Sequence, residues 1–193
     1  MNETLKLGLI LLLITAVSAF ILAASNNATS AKIEEADKIA NDEARKETLP
    51  DAKDFEPIDK EKLDSIQSSN EGVLEIFEGK DESGEIVGYT LKNLVGGFGG
   101  DIQVMTGISV EGKITGMKIL SHSETPGLGA KAEEPEFQER FKGIPTENDL
   151  VIVKESPSNN NEVEAITSAT ITSNAVADGV NLAREIYNSQ LSK

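Results

Sequence analysis

The sequence contains no cysteine, no tryptophan and a single histidine, His122. Without thiols it can form no disulfide, iron–sulfur cluster, thiolate zinc site or cysteine nucleophile. It also has no N-terminal cysteine to carry a lipid. One histidine cannot build a multi-histidine metal site or a haem ligand pair. Aromatic residues make up only 4%, and Lys+Arg 18 against Asp+Glu 33 leave a formal net charge of -15. Such an acidic surface repels phosphate backbones and excludes nucleic acid as a partner. Any redox or transfer chemistry must therefore come from a bound organic cofactor or from carboxylates and hydroxyls. Hydrophobic residues at 38% are enough for a core in a chain of 193 residues, a length suited to one soluble domain plus accessories.

One long apolar run is present. "LKLGLILLLITAVSAFILAAS" (5–25) is interrupted only by Lys6 and small hydroxyl residues, and from Leu7 to Ala24 it is long enough to cross a bilayer as a helix. A cleaved signal peptide is the competing reading, with Ala23, Ala24 and Ser25 able to suit a peptidase. The length of the run and the offset of Lys6 by Glu3 favour a retained anchor. Lys6 before the span and an acidic domain after it put the domain on the extracytoplasmic side. "NET" at Asn2 and "NAT" at Asn27 match a glycosylation pattern by chance.

The sequence suggests three parts: an anchor (1–25), a charged helical juxtamembrane segment (26–70) and a compact domain (71–193). Within the second, Ala31–Leu49 is rich in helix formers and ends at Pro50. In the third, "GVLEIFEGK" with "GEIVGYTLKNL", and "DIQVMTGISV" with "KITGMKILSH", alternate with period two around glycine-containing turns and predict two β-hairpins. "GGFGG" (96–100) between them is either a wide β connection or backbone that approaches a ligand closely. Residues 133–143 predict a short helix with Phe137 and Phe141 one turn apart, Asp149–Lys154 a strand and 156–162 a surface loop. Ser173–Leu191 predict an amphipathic helix with Val176, Val180, Ala183 and Tyr187 on its buried face. The expected class is α+β: a mainly antiparallel twisted sheet with flanking helices, preceded by one transmembrane helix.

Two stretches carry chemistry. "HSETPGLGAK" (122–131) places an imidazole, a carboxylate and a hydroxyl close together, then a turn in which Pro126 presets φ and Gly127 supplies φ > 0. "EAITSATITS" (164–173) holds Thr167, Ser168, Thr170, Thr172 and Ser173, more hydroxyls than one helix cap needs. Either a phosphate sits at the start of the following helix, held by backbone N–H groups and hydroxyls with the small Ala169 giving room beside Thr170, or a Thr-rich strand simply leads into an overprovided cap.

In combination these residues resemble the FMN-binding domain of the G subunit of Rnf complexes and of its relative, the C subunit of the sodium-pumping NADH:quinone reductase. In that family an acid, two residues, Ser or Thr, Gly or similar, Ala and Thr carry FMN covalently, by a phosphoester to the last threonine. "EAITSAT" fits, with Glu164 where aspartate is usual, Thr167, Ser168 where glycine is common, Ala169, and Thr170 as acceptor. "SHSETPGLG" resembles the second signature loop, at the flavin pocket, and "GGFGG" the glycine turn. The resemblance implies covalent FMN on Thr170, with Glu164, Thr167, Ser168, Ala169, Thr172 and Ser173 around the phosphate. It implies Glu124, Thr125, Leu128, Gly129 and His122 against the flavin or its ribityl chain. It further implies an electron-transfer subunit of a membrane ferredoxin:NAD oxidoreductase that translocates ions, with other membrane subunits as partners and a flavin transferase for maturation. The quinone-reductase relative tends to be longer, so a compact chain favours the Rnf type. A stand-alone extracytoplasmic flavoprotein and a non-catalytic binding domain are the alternatives.

Overall fold

A computed structural model describes residues 2–192, which fall into two units that divide between Asn41 and Asp42. The first consists of helix α1 (Glu3–Thr48) up to Asn41, an apolar stretch followed by a charged one, exposed over residues 3–40. It is long and apolar enough to cross a membrane.

The second unit is built on a five-stranded antiparallel sheet in the order β1-β2-β3-β4-β5: Asp54–Pro57, Val73–Lys80, Ile86–Gly96, Asp101–Ser109 and Ile114–Ser121. The two expected hairpins are β2–β3 and β4–β5, and "GGFGG" joins them into a meander. Residues 42–70, assigned from sequence to the juxtamembrane segment, contribute more than a spacer here. They supply the end of α1, edge strand β1 paired to β2, and helix α2 (Lys60–Ser69), which buries Ile66. Asp59 caps α2 by accepting from the N–H groups of Glu61 and Lys62.

Period-two alternation gives the sheet two distinct faces. Ile102, Val104 and Ile108 of β4, with Leu91 of β3 and Met117 and Ile119 of β5, pack with Val176, Val180 and Ile186 of helix α4 (Thr170–Ile186) in two clusters. The chain leaves α4 through a π-helical turn, Tyr187–Leu191. The opposite face carries a row of glycines, paired in register as Gly79↔Gly88 and Gly107↔Gly116. That row receives residues 44–52. A Cβ on Gly79 would lie 2.8 Å from the Cβ of Ala52, one on Gly88 2.8 Å from Leu49 Cδ1, and one on Gly107 2.6 Å from the Thr48 carbonyl carbon. The Thr115 hydroxyl donates to the Thr48 carbonyl. Arg45, 6% exposed, lies 3.7 Å over the Phe77 ring and pairs with Asp42 and Glu75 at 2.6 Å each. A buried guanidinium is tolerable only when paired in this way.

Three local expectations need correction. The helix predicted over 133–143 is a 3-10 turn (Gly129–Glu133), one short α-turn, α3 (Pro135–Gln138), and another 3-10 turn (Glu139–Phe141). Phe137 and Phe141 are nevertheless buried, edge to face with centroids 5.3 Å apart, so packing holds what helix propensity does not. The strand predicted over Asp149–Lys154 shrinks to β6 (Val151–Val153), paired in parallel with β7 (Glu162–Glu164), a strand for which the sequence carries no local signal. The last helix begins at Thr170, before the predicted Ser173, and its regular part stops at Ile186.

Gly107→Ala tests the glycine row. The added methyl would enter backbone rather than a yielding side chain, so a loss of about 2 kcal/mol is expected. In thermal unfolding of the full chain in detergent this lowers Tm by about 4–8 °C. Gly96→Ala, which meets open space, should change stability by less than about 0.5 kcal/mol.

Candidate functional site

The segment from β7 to α4 folds around two buried hydroxyls. After Glu164 the Ala165 N–H donates to the Val153 carbonyl, and the Ala169 N–H donates to the Ile166 carbonyl at 3.0 Å, closing a turn over 166–169. Ser168, third in that turn, has φ 66°, the left-handed region in which glycine is at home. A glycine preference at this place thus has a conformational cause, and the serine accepts some strain. Ser173, fully buried, accepts from the Ile166 N–H at 2.9 Å and donates to the Ala169 carbonyl at 3.0 Å, locking the turn onto the first turn of α4.

Thr172 is 2% exposed and donates to Glu124 at 2.6 Å. Glu124, 6% exposed, is the junction of the site. One of its oxygens accepts from the Gly99 N–H at 2.9 Å and the other from the Thr172 hydroxyl. Its own N–H lies 3.0 Å from His122 Nδ1 and is directed at it. His122 Nε2 lies 3.1 Å from a Glu133 carboxylate oxygen without the alignment of a hydrogen bond. Burial, the largest single influence, pushes the Glu124 carboxyl up. Thr172, Gly99, Phe98 and His122 together more than offset it, and the carboxyl sits below its ordinary value. It is ionised at neutral pH.

The surrounding glycines follow from this carboxylate. A Cβ on Gly97 would run into Glu124 Oε1, and one on Gly129 into Glu124 Oε2 and, at 2.6 Å, the Thr172 hydroxyl. Thr125 to Leu128 form the expected turn: the Leu128 N–H donates to the Thr125 carbonyl at 3.1 Å and Gly127 has φ 77°. "GGFGG" is therefore both a β connection and a close approach, the approach being to Glu124 of the same chain. Nothing in the sequence signals that residues 48 apart, Glu124 and Thr172, meet.

The hydroxyls divide into two groups. Thr172 and Ser173 are spent on internal bonds, so of the two only the Thr172 backbone N–H is left toward a ligand at the helix start. Thr167 and Ser168 are exposed and Thr170 half-exposed, and none of their hydroxyls is hydrogen-bonded among the described residues. Ala169, at the N-cap position, provides no side-chain cap, and its methyl packs in the core. The overprovided-cap reading is thereby corrected: five hydroxyls surround this helix start and none caps it. The first-turn N–H groups of Thr170, Ile171 and Thr172 stand open beside the Thr170 hydroxyl. On the other side, Glu164 lines a cleft of ≈ 250 Å³ with Lys131, Glu134, Phe137 and Arg140, whose guanidinium donates to the Glu164 carbonyl at 2.8 Å.

An open helix N-terminus beside an unengaged hydroxyl at its first residue presents backbone donors of the kind that suit an anionic group. Residues 97–185, from the glycine loop through most of α4, match the FMN-binding domain family. The chain is 45% identical to the G subunit of the Na(+)-translocating ferredoxin:NAD(+) oxidoreductase complex of Acetobacterium woodii, over 94% of this chain and 90% of the relative. It is 38% identical to the G subunit of the ion-translocating oxidoreductase complex of Methanosarcina acetivorans, over 98% and 97%. It belongs to the family of Rnf-complex G subunits. Its fold is that of the C subunit of the Na(+)-translocating NADH-quinone reductase from Parabacteroides distasonis, with a TM-score of 0.54 over 77% of this chain and 94% of that one, at 17% identity.

Two outcomes test this geometry. A carboxyl held low in the folded state stabilises above the unfolded value, about 4.3, and that contribution is lost as pH falls through the folded value. Glu124→Gln should therefore cost about 1–3 kcal/mol near neutral pH, with the gap to the parent closing on acidification, as denaturant titrations across pH would report. Ser168→Gly should gain about 0.5 kcal/mol, the relief of the left-handed backbone exceeding the entropy glycine adds to the unfolded chain, whereas Ser168→Val should lose stability.

Proposed function

We propose that the chain is the FMN-carrying electron-transfer subunit of an Rnf-type, ion-translocating ferredoxin:NAD oxidoreductase complex, with FMN esterified through its phosphate to Thr170. The uncapped N-terminus of α4 beside an unengaged Thr170 hydroxyl is the observation that carries this reading. The residues fit the group. A phosphodiester on the Thr170 oxygen retains one negative charge, which the first-turn N–H groups of Thr170, Ile171 and Thr172 and the positive end of the helix dipole would hold. The exposed hydroxyls of Thr167 and Ser168 are free to donate to it. Gly97 and Gly129 pack directly on Glu124, where a side chain would intrude, which holds the glycine loop and the TPGLG turn against the start of α4. Glu164 has a different part: it lies in strand β7, where Arg140 fixes its backbone, and its carboxylate is one wall of the cleft beside the motif.

When bound, the flavin supplies one- or two-electron redox chemistry that no side chain here can. The protein attaches it, orients it and fixes the charge around it. Glu124 is the nearest buried charge, and its bonds hold the loop, the TPGLG turn and α4 in one arrangement. Maturation needs a flavin transferase, and assembly needs the other membrane subunits. The apolar helix would anchor the chain in the membrane, with the domain on the extracytoplasmic side, in keeping with Lys6 before the span and an acidic domain after it.

Mass spectrometry of the intact chain and its peptides, purified from a host with the transferase, tests the attachment. The expected result is FMN less one water on the peptide containing Thr170, absent from Thr170→Ala. An unmodified Thr170 under those conditions refutes covalent attachment and returns the site to a non-covalent binding role.

A further inference from the structure

Few contacts hold the segment that carries Thr170. Strand β7 before it is three residues long and pairs with the three of β6 alone. Ser168, within the turn over 166–169, has φ 66°, a conformation that costs energy and persists only when its surroundings enforce it. At the exit, Ser173 of α4 ties the Ile166 N–H to the Ala169 carbonyl. At the entrance, the Ala165 N–H donates to the Val153 carbonyl, and Arg140 Nη1 donates to the Glu164 carbonyl at 2.8 Å. Among the described residues, Arg140 is the only side chain from outside 164–174 that hydrogen-bonds the main chain of 164–171. Its own footing is firm. Phe141 beside it is fully buried, and its guanidinium lies 5.6 Å over the Phe137 ring and donates to Glu136 at 3.0 Å.

We propose that Arg140 is a positioning residue for flavin attachment: by holding the Glu164 carbonyl it keeps the turn over 166–169 formed and the Thr170 hydroxyl presented to the flavin transferase. This rests on the reading above, that Thr170 carries FMN. Esterification needs FMN activated as a phosphoanhydride, as it is in FAD. The Thr170 oxygen forms the new O–P bond, the anhydride P–O bond breaks and AMP leaves with its electron pair. The hydroxyl proton passes to a base of the transferase. Arg140 touches none of these atoms. Both its terminal nitrogens are engaged, one by Glu164 and one by Glu136, so it acts through the main chain. Without its bond the short strand and the strained turn open more often, and the transferase meets fewer chains in the competent form. A fall in the competent fraction raises the apparent KM by the inverse of that fraction and leaves kcat unchanged.

The test uses the full chain in detergent, purified from a host without the transferase, with transferase and FAD then added. Parent, Arg140→Gln, Arg140→Lys and Glu136→Gln are compared, with circular dichroism and thermal unfolding to check the fold. Intact mass follows attachment. Hydrogen exchange of the Ile166 and Ala169 amides, measured before FAD is added, follows the turn. Arg140→Gln should speed that exchange about tenfold and raise KM for the chain about tenfold at equal kcat. Arg140→Lys, which restores a donor, should return both to within about threefold of the parent. Glu136→Gln, which removes the ion pair and keeps the bond to Glu164, should match the parent. Faster exchange with unchanged attachment kinetics overturns the proposal and leaves the attachment standing. So does a raised KM with unchanged exchange, which would mean that Arg140 touches the transferase itself. Faster exchange throughout the core of β3 and β4 overturns it too, by assigning Arg140 to overall stability. A parent chain that gains no adduct overturns both this proposal and the reading above.

Discussion

The arrangement of the site depends on one buried carboxylate. Glu124 gives up most of its hydration, a cost that hydrogen-bond donors must offset, and it accepts from the Gly99 N–H and the Thr172 hydroxyl. Satisfying a charge this way leaves little freedom. The glycine loop must come within hydrogen-bonding distance, which is why Gly97 cannot carry a side chain. The first turn of α4 must present a hydroxyl at Thr172, and the turn after Pro126 must lie flat enough to be glycine at 129. A half-satisfied carboxylate would be worse than none, so these features stand or fall together. The charge also faces the start of α4, where the helix dipole stabilises it.

The same logic sorts the hydroxyls. A buried hydroxyl must be bonded, and Thr172 and Ser173 are: one to Glu124, the other between Ile166 and Ala169. Exposed hydroxyls are free to be chemistry, and Thr170 sits where backbone donors are open and water or a ligand must supply the acceptor. Composition alone shows five hydroxyls. Which of them are structural depends on burial, and burial depends on partners far along the chain.

That distinction marks how far the sequence could be read. Whatever is set locally was legible: two hairpins from alternation, the turn over Pro126 and Gly127, the buried stripe of the last helix through Val176 and Val180. Elements stabilised mainly by long-range contacts were not. Strand β7 is three residues that exist because β6 lies beside them. The helical turns over 129–141 are held by Phe137 and Phe141 rather than by propensity, and so do not fuse into one helix. The start of α4 was misplaced because hydroxyls ordinarily mark caps, and here they cap nothing. Gly79, Gly88, Gly107 and Gly116 look like four unrelated glycines until strand register aligns them into the trough that holds Thr48, Leu49 and Ala52.

The site is shallow, and that bears on why a covalent bond would be used at all. Cofactor pockets typically enclose about 300–1,000 Å³ and bury most of their ligand. The cleft beside Glu164 measures ≈ 250 Å³. Burial on one face yields only part of the hydrophobic gain of full enclosure, and association must also offset lost translation and rotation. A tether would remove that entropic cost by keeping the cofactor at high effective concentration beside the helix start. Weak contacts would then suffice to orient it. For a carrier that hands electrons to neighbouring subunits, an accessible cofactor is an advantage that a deep pocket would forfeit.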